Sequence, residues 1–136
     1  MLNRIYFHAC VAWTEEGIKQ HLNWIERGEL NALYGIDVIR RMHDLLVKYI
    51  QVENKHVLVI GSVLPWIEAL LLTMNVDHIT TLEYDPYIST HPKITTISPT
   101  EFSTLVMTGQ APMFDAMVSF SSLEHSGLGR CVIAYF

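Results

Sequence analysis

Apolar positions along this chain change their period near residue 56. Before it they recur every three or four residues. In "TEEGIKQHLNWIERG", Ile18, Leu22 and Ile25 fall on one side of a helix. Thr14 is placed to cap the N-terminus, Glu15 and Glu16 favour its positive end, and Gly28 follows the last turn as the residue that leaves the helix. A second helix, "IDVIRRMHDLLVKYI", carries Ile36, Ile39, Met42, Leu46 and Tyr49 along one stripe, and "QVENK" ends it.

From His56 the pattern becomes short apolar runs separated by helical segments. "HVLVIG" is a continuous β-branched run, the composition of a strand buried on both faces of a parallel sheet. "PWIEALLLTM" reads as a helix with Pro65 in its first turn, where a missing N–H costs nothing. "DHITTLEYD" and "KITTI" are the next two strands. "SPTEFSTLV" is a helix opened by Ser98 as cap and Pro99 behind it, and "MFDAMVSF" is a fourth strand. Strands alternating with helices predict right-handed βαβ units and an α/β fold: a Rossmann-like, doubly wound, mostly parallel sheet of about four strands, preceded by two helices. No linker or repeat divides the chain. One domain over 1–136 is expected, with helices across 14–50 and the Rossmann-like core over 56–130.

Composition narrows the function. Half of the 136 residues are apolar and 17% are charged, which disfavours disorder. Nine basic against fourteen acidic residues give a net charge of −5, and no Lys/Arg block exceeds the pair Arg40-Arg41, so nucleic acid is not an expected partner. The longest apolar run, "VLVIGSVLPWIEALLL", contains Gly, Pro and Glu and is shorter than the ~20 residues a spanning helix needs. No membrane association is expected. Cys10 and Cys131 are far apart, which indicates a reducing compartment and a cytoplasmic location. The apolar N-terminal stretch "MLNRIYFHACVAW" leaves a secretory signal open. The histidines are scattered without ligand spacing, so no metal site is expected.

In doubly wound folds, ligands bind beyond the carboxyl ends of the strands. Three such ends carry candidate chemistry. At "IGSVLPW", Gly61 permits a tight turn and Ser62 adds a hydroxyl. At "LEYD", Glu83 stands 22 residues beyond Gly61 (83 − 61), near the ~20 expected for an acid that receives ribose hydroxyls. The third is "FDAMVSFSSLEHSGLGR". A dinucleotide fingerprint needs G-x-G-x-x-G, and G-S-V-L-P-W supplies one glycine of the three. A diphosphate is therefore disfavoured, whereas a nucleoside without phosphates needs only one open turn, an acid and an apolar slot.

"VLVIGSVLPWIEALLL", "ITTLEYD" and "FDAMVSFSSLEHSGLGR" together resemble a class I S-adenosylmethionine-dependent methyltransferase. More specifically, they resemble a nematode-rich family of uncharacterised methyltransferase-like proteins, over roughly residues 35 to 130. The single glycine at the first motif is a departure. The resemblance implies S-adenosylmethionine as cofactor, Gly61 and Ser62 along its methionine moiety, and Glu83 on the ribose. It further implies Tyr84 or Asp85 beside the adenine, and Ser119 and Phe120 near the sulfonium. His125, next to Glu124, is the candidate general base for a hydroxyl or amine acceptor. Asp115 is expected to orient the entrance of the fourth strand, Trp66 to be a core or contact aromatic, and Met74, Met107, Met113 and Met117 to fill the core.

The class I fold has seven strands, and four are countable here. The expectation is a methyltransferase-like protein that keeps the cofactor half, truncated within the acceptor half and hence of doubtful turnover. The rival readings are a non-catalytic interaction protein that self-associates through an exposed sheet edge, and a different nucleotide-binding enzyme.

Overall fold

The computed structural model describes residues 12–29, 35–84 and 87–122. Strand β1 (Ala12–Trp13) leads into helix α1 (Glu15–Arg27), followed by α2 (Ile36–Tyr49), β2 (His56–Ile60) and α3 (Trp66–Thr73). Then come β3 (His78–Leu82), β4 (Ile88–Ser89), β5 (Ile94–Ile97), α4 (Pro99–Met107) and β6 (Ala116–Ser119). The expected local signals are in place. Thr14 Oγ1 accepts from the Gly17 amide, and Gly28 ends α1 in the left-handed region at φ 66°. Ser98 and Glu101 form a reciprocal capping box at the start of α4, with Pro99 behind it.

The main sheet has the order β5-β3-β2-β6, and every neighbouring pair is parallel. The chain thus winds outward from β2 through β3 to β5, then returns across β2 to β6. That reversal is the doubly wound pattern predicted by the alternation of elements. Because the two crossovers run in opposite directions and both are right-handed, α3 and α4 cover opposite faces of the sheet.

The two faces are unequal. In register, Val57, Val59, Ile79, Ile94 and Val118 share one face, and all are buried there with Trp66, Ile67, Leu70 and Leu71 of α3. α1 packs on α3 through its buried Ile18, and α2 adds Ile39 and Leu46 to the same core. The α4 face is thinner, since no residue of α4 is fully buried. This accounts for a departure from expectation. Met74 packs against the core, but Met107, Met113 and Met117 are 85%, 88% and 57% exposed rather than filling it. Their positions at element ends suggested burial, but only a second helical layer on the α4 face would supply it. Tyr49 likewise leaves its stripe: it is the last residue of α2 and two-thirds exposed, with the Lys48 ammonium 5.0 Å from its ring.

Outside the main sheet, β1 pairs in parallel with β4, a small ladder that the residue pattern did not suggest. The Trp13 and Tyr87 rings stack at 5.2 Å beside it, and the Thr90 hydroxyl accepts from the Glu15 amide. The start of α1 is thereby tied to the segment between β3 and β5. No described helix is long and apolar enough to cross a membrane.

Candidate functional site

Gly61 follows β2 directly. Its amide donates to the Leu82 carbonyl at 2.9 Å, which extends the β2–β3 ladder by one step, and then φ of +71° turns the chain away. The turn feeds "SVLP" into α3. Ser62 is nearly buried, and its two polar groups point in different directions. The amide donates to Glu83 Oε2 at 2.8 Å. The hydroxyl lies 2.9 Å from Glu68 Oε2 and 2.9 Å from the Leu64 carbonyl oxygen.

Glu83 stands one residue beyond β3. Its Oε2 accepts from the Ser62 amide, and its Oε1 accepts from the Tyr84 amide at 2.7 Å. Two main-chain donors therefore hold the carboxylate in one orientation. A carboxylate has about four lone-pair sites, which leaves acceptor capacity on each oxygen.

That carboxylate belongs to the wall of a cavity of about 600 Å³ on the α4 side of the sheet, a volume typical of small-molecule sites. Ile60 and Leu82 at the strand ends, Phe102, Val106 and Met107 of α4, and Val63 of the turn make its walls largely apolar. Among the described residues, Glu83 is the only charged side chain of the lining, which holds no Lys or Arg. A second cavity of about 610 Å³ shares Glu83 and Tyr84 and is bounded by Thr96, Ser98 and Glu101.

The candidate residues from the sequence divide as follows. Gly61, Glu83 and Tyr84 meet at the first cavity. Ser62 contributes its amide to Glu83 but turns its hydroxyl inward. Ser119 donates to the Ile60 carbonyl at 3.3 Å, and Phe120 sets its ring edge-on to Trp66 at 5.4 Å, so both knit β6 to its neighbours. The next two residues, Ser121 and Ser122, line the cavity instead. The β6 strand ends one residue earlier than the apolar run implied, and Ser121 takes a left-handed φ of 53° that redirects the chain. Asp115 behaves as expected of an orienting residue: it accepts from the His56 amide at 2.8 Å and donates its own amide to the His56 carbonyl at 2.9 Å. Trp66 is a core residue. Asp85, Glu124 and His125 lie outside the described residues.

The space over Gly61 is taken by the chain itself. A Cβ on Gly61 would overlap Oγ and Cβ of Ser122 and come within 3.8 Å of Glu83 Oε2. Ser122 also donates to the Gly61 carbonyl at 3.1 Å. The fit to an S-adenosylmethionine-type ligand is therefore uneven. The nucleoside end has a fixed acid and apolar walls, whereas the approach to Gly61 is filled by the Ser122 side chain.

Glu68 is the residue that no sequence pattern singled out. It sits on α3 with no solvent exposure, between the Ser62 hydroxyl and the Thr81 hydroxyl, which donates to Oε1 at 2.7 Å. Burial pushes its pKa up from 4.5 to about 7, against the two hydroxyl donors that lower it, with a small further rise from the Glu83 charge. The proton count agrees. Ser62 has one hydroxyl proton and two acceptors within 2.9 Å, and both contacts are hydrogen bonds only if Glu68 supplies the proton of one. The sequence signal was available: its helical neighbours Leu64, Pro65, Leu71 and Leu72 are all apolar, so no solvated face includes it.

Among the described residues, no group of three His, Cys, Asp or Glu is arranged to hold a metal ion. No curated protein matches the chain. A family model matches residues 54–133, the stretch that contains β2 through β6 and therefore the whole cavity. The chain accordingly belongs to the family described as Caenorhabditis protein of unknown function, DUF268.

Proposed function

We propose that this chain is a methyltransferase-like protein that binds a nucleoside of the S-adenosylmethionine type at the carboxyl ends of β2 and β3. The observation that carries the reading is the Glu83 carboxylate, pinned by the Ser62 and Tyr84 amides at the wall of an apolar cavity. One oxygen accepts from each amide, and each retains capacity for one hydroxyl of a ribose cis-diol. Ile60, Leu82 and Phe102 suit the flat, apolar faces of a purine. Among the described residues the lining holds no Lys or Arg, which disfavours phosphates, and its one charge is negative, which favours a cationic sulfonium. Such a ligand supplies an electrophilic methyl group, and Glu83 and Tyr84 would hold its nucleoside end.

A second reading, an interaction protein that self-associates, draws on the exposed Met107, Met113 and Met117 beside strand β6. Titration of the full chain with S-adenosylhomocysteine separates the two. Saturation at ~100 times the dissociation constant adds about 2.7 kcal/mol of stability, a rise of several degrees in the thermal midpoint. The rise is lost in Glu83→Ala. A cooperative melt that no nucleoside shifts, with a mass that grows with concentration, would establish the interaction reading instead.

A further inference from the structure

Glu68 and Glu83 lie on opposite sides of Ser62. One meets its hydroxyl at 2.9 Å, the other its amide at 2.8 Å. The buried acid and the cavity acid are thus joined through a single residue of the turn. We propose that Glu68 is a positioning residue for the nucleoside site, which is competent while Glu68 carries its proton and weakens when that proton is lost. The inference rests on the reading of the cavity as a nucleoside site.

The reason is the number of protons in the network. With Glu68 neutral, its acid proton goes to Ser62 Oγ, and the Ser62 hydroxyl is free to donate to the Leu64 carbonyl. The Thr81 hydroxyl satisfies the other oxygen. The Ser62 hydroxyl, the Leu64 carbonyl and both Glu68 oxygens are then satisfied, and the Ser62 amide holds Glu83 in line. With Glu68 ionised, the Ser62 hydroxyl must turn to the carboxylate, and Leu64 keeps only the Trp66 amide. A second negative charge then stands behind the turn, close enough to act on Glu83. Both changes loosen the segment that carries Gly61 and Val63 along the cavity wall.

Among the described residues, no cation compensates the ionised form. The charged side chains of α1 and α2 are exposed, and the half-buried His21 of α1 is turned to the Gly17 carbonyl. His56 and His78 stand on the opposite face of the sheet, where they meet Thr80 and Thr95. Among the described residues, Glu83 is the titratable group that acts on Glu68 through its charge. Since Glu68 titrates near 7, the transition falls in an accessible range.

The test is calorimetric titration of the full chain with S-adenosylhomocysteine at pH 6, 7 and 8, in two buffers of different ionisation enthalpy. If only the protonated form is competent, the dissociation constant is about tenfold larger at pH 8 than at pH 6, and binding at pH 8 takes up a proton. Glu68→Gln, which keeps a donor toward Ser62 at every pH, binds with nearly constant affinity and no proton uptake from this source. Ser62→Ala keeps the amide to Glu83 but severs Glu68 from the turn, and it flattens the profile if Glu68→Gln fails to fold. Parallel profiles for the wild type and a folded variant would overturn the positioning role while leaving the nucleoside site standing. Absence of binding by the wild type at every pH would overturn both.

Discussion

Replacing Glu68 by Gln should leave stability nearly unchanged at pH 5 and raise it at pH 8. Glu68 is fully buried, with two hydroxyl partners and no cation among the described residues. Its folded pKa of about 7 lies above the unfolded value of 4.5. Between those values the folded chain binds the proton more tightly, so stability falls as pH rises through the window. At ~1.36 kcal/mol per pKa unit, the whole effect is about 3 kcal/mol, of which roughly 2 to 3 kcal/mol falls between pH 5 and 8. Glu68→Gln is isosteric with the neutral acid and lacks this term. It should match the wild type to within about 1 kcal/mol at pH 5 and exceed it by roughly 2 kcal/mol at pH 8, a gap of roughly 5 to 10 °C for a chain of this size. The difference between the two proteins is the quantity to measure, by urea or thermal unfolding at each pH. The wild-type profile alone mixes in other groups: burial lowers the pKa of His78 and His91, so their contribution runs the opposite way, being lost as pH falls below 6.5. Parallel wild-type and variant profiles from pH 5 to 8 would refute the assignment of Glu68 as a buried neutral acid.

Other perturbations test other parts of the structure. Gly61→Ala places a methyl group against Ser122 and forces a side chain into φ +71°, so it should destabilise by roughly 1 to 3 kcal/mol in chemical unfolding. Ser122→Gly in the same chain should recover the steric part and leave about 1 kcal/mol of backbone strain; additive effects would mean that the two residues do not touch. Ser98→Ala breaks the capping box of α4 and should cost about 1 kcal/mol, measured by thermal unfolding, with nucleoside affinity nearly unchanged. His78→Gln removes a half-buried imidazole held by Thr95 and should flatten the loss of stability between pH 6.5 and 5 in the same unfolding series; an unchanged acid slope would shift that role to other groups.

What the sequence discloses here is what is decided locally. Thr14, Gly28 and Ser98 act within one turn of where they stand, so their roles follow from residue type and spacing. The α/β class also follows, because strands alternating with helices imply right-handed βαβ units and a parallel sheet. Features that depend on a second layer do not follow. Met107, Met113 and Met117 look like interior residues until the thinness of the α4 face is known, and the β1–β4 ladder joins segments 76 residues apart (88 − 12) that carry no pairing signal. Glu68 lies between these cases. An all-apolar helix is buried on most sides, so an acid within it must either find partners or stay neutral. Which hydroxyls it meets is settled only by the return of β3 past α3, since Thr81 is 13 residues away in sequence.

The same return explains how one glycine suffices at the end of β2. In a dinucleotide loop, three glycines keep the backbone bare so that a diphosphate can approach it. Here the backbone after Gly61 is fixed from inside: Ser62 is tied to Glu68 and Leu64 by its hydroxyl and to Glu83 by its amide. Pro65 then stiffens the entry to α3. A turn anchored in this way gives up close approach along its length, and Ser122 occupies the space over Gly61. In exchange it holds an acid steady at the end of the neighbouring strand. A site with a fixed acid, apolar walls and no bare loop is suited to the hydroxyls and base of a nucleoside and poorly suited to phosphates. The departure from the glycine pattern fits the proposed nucleoside reading, on which replacing Leu64 or Pro65 by glycine should loosen Glu83 without creating affinity for a dinucleotide. Measurable NAD binding by such a variant would show that glycine content alone, rather than the inward anchoring of Ser62, sets the preference.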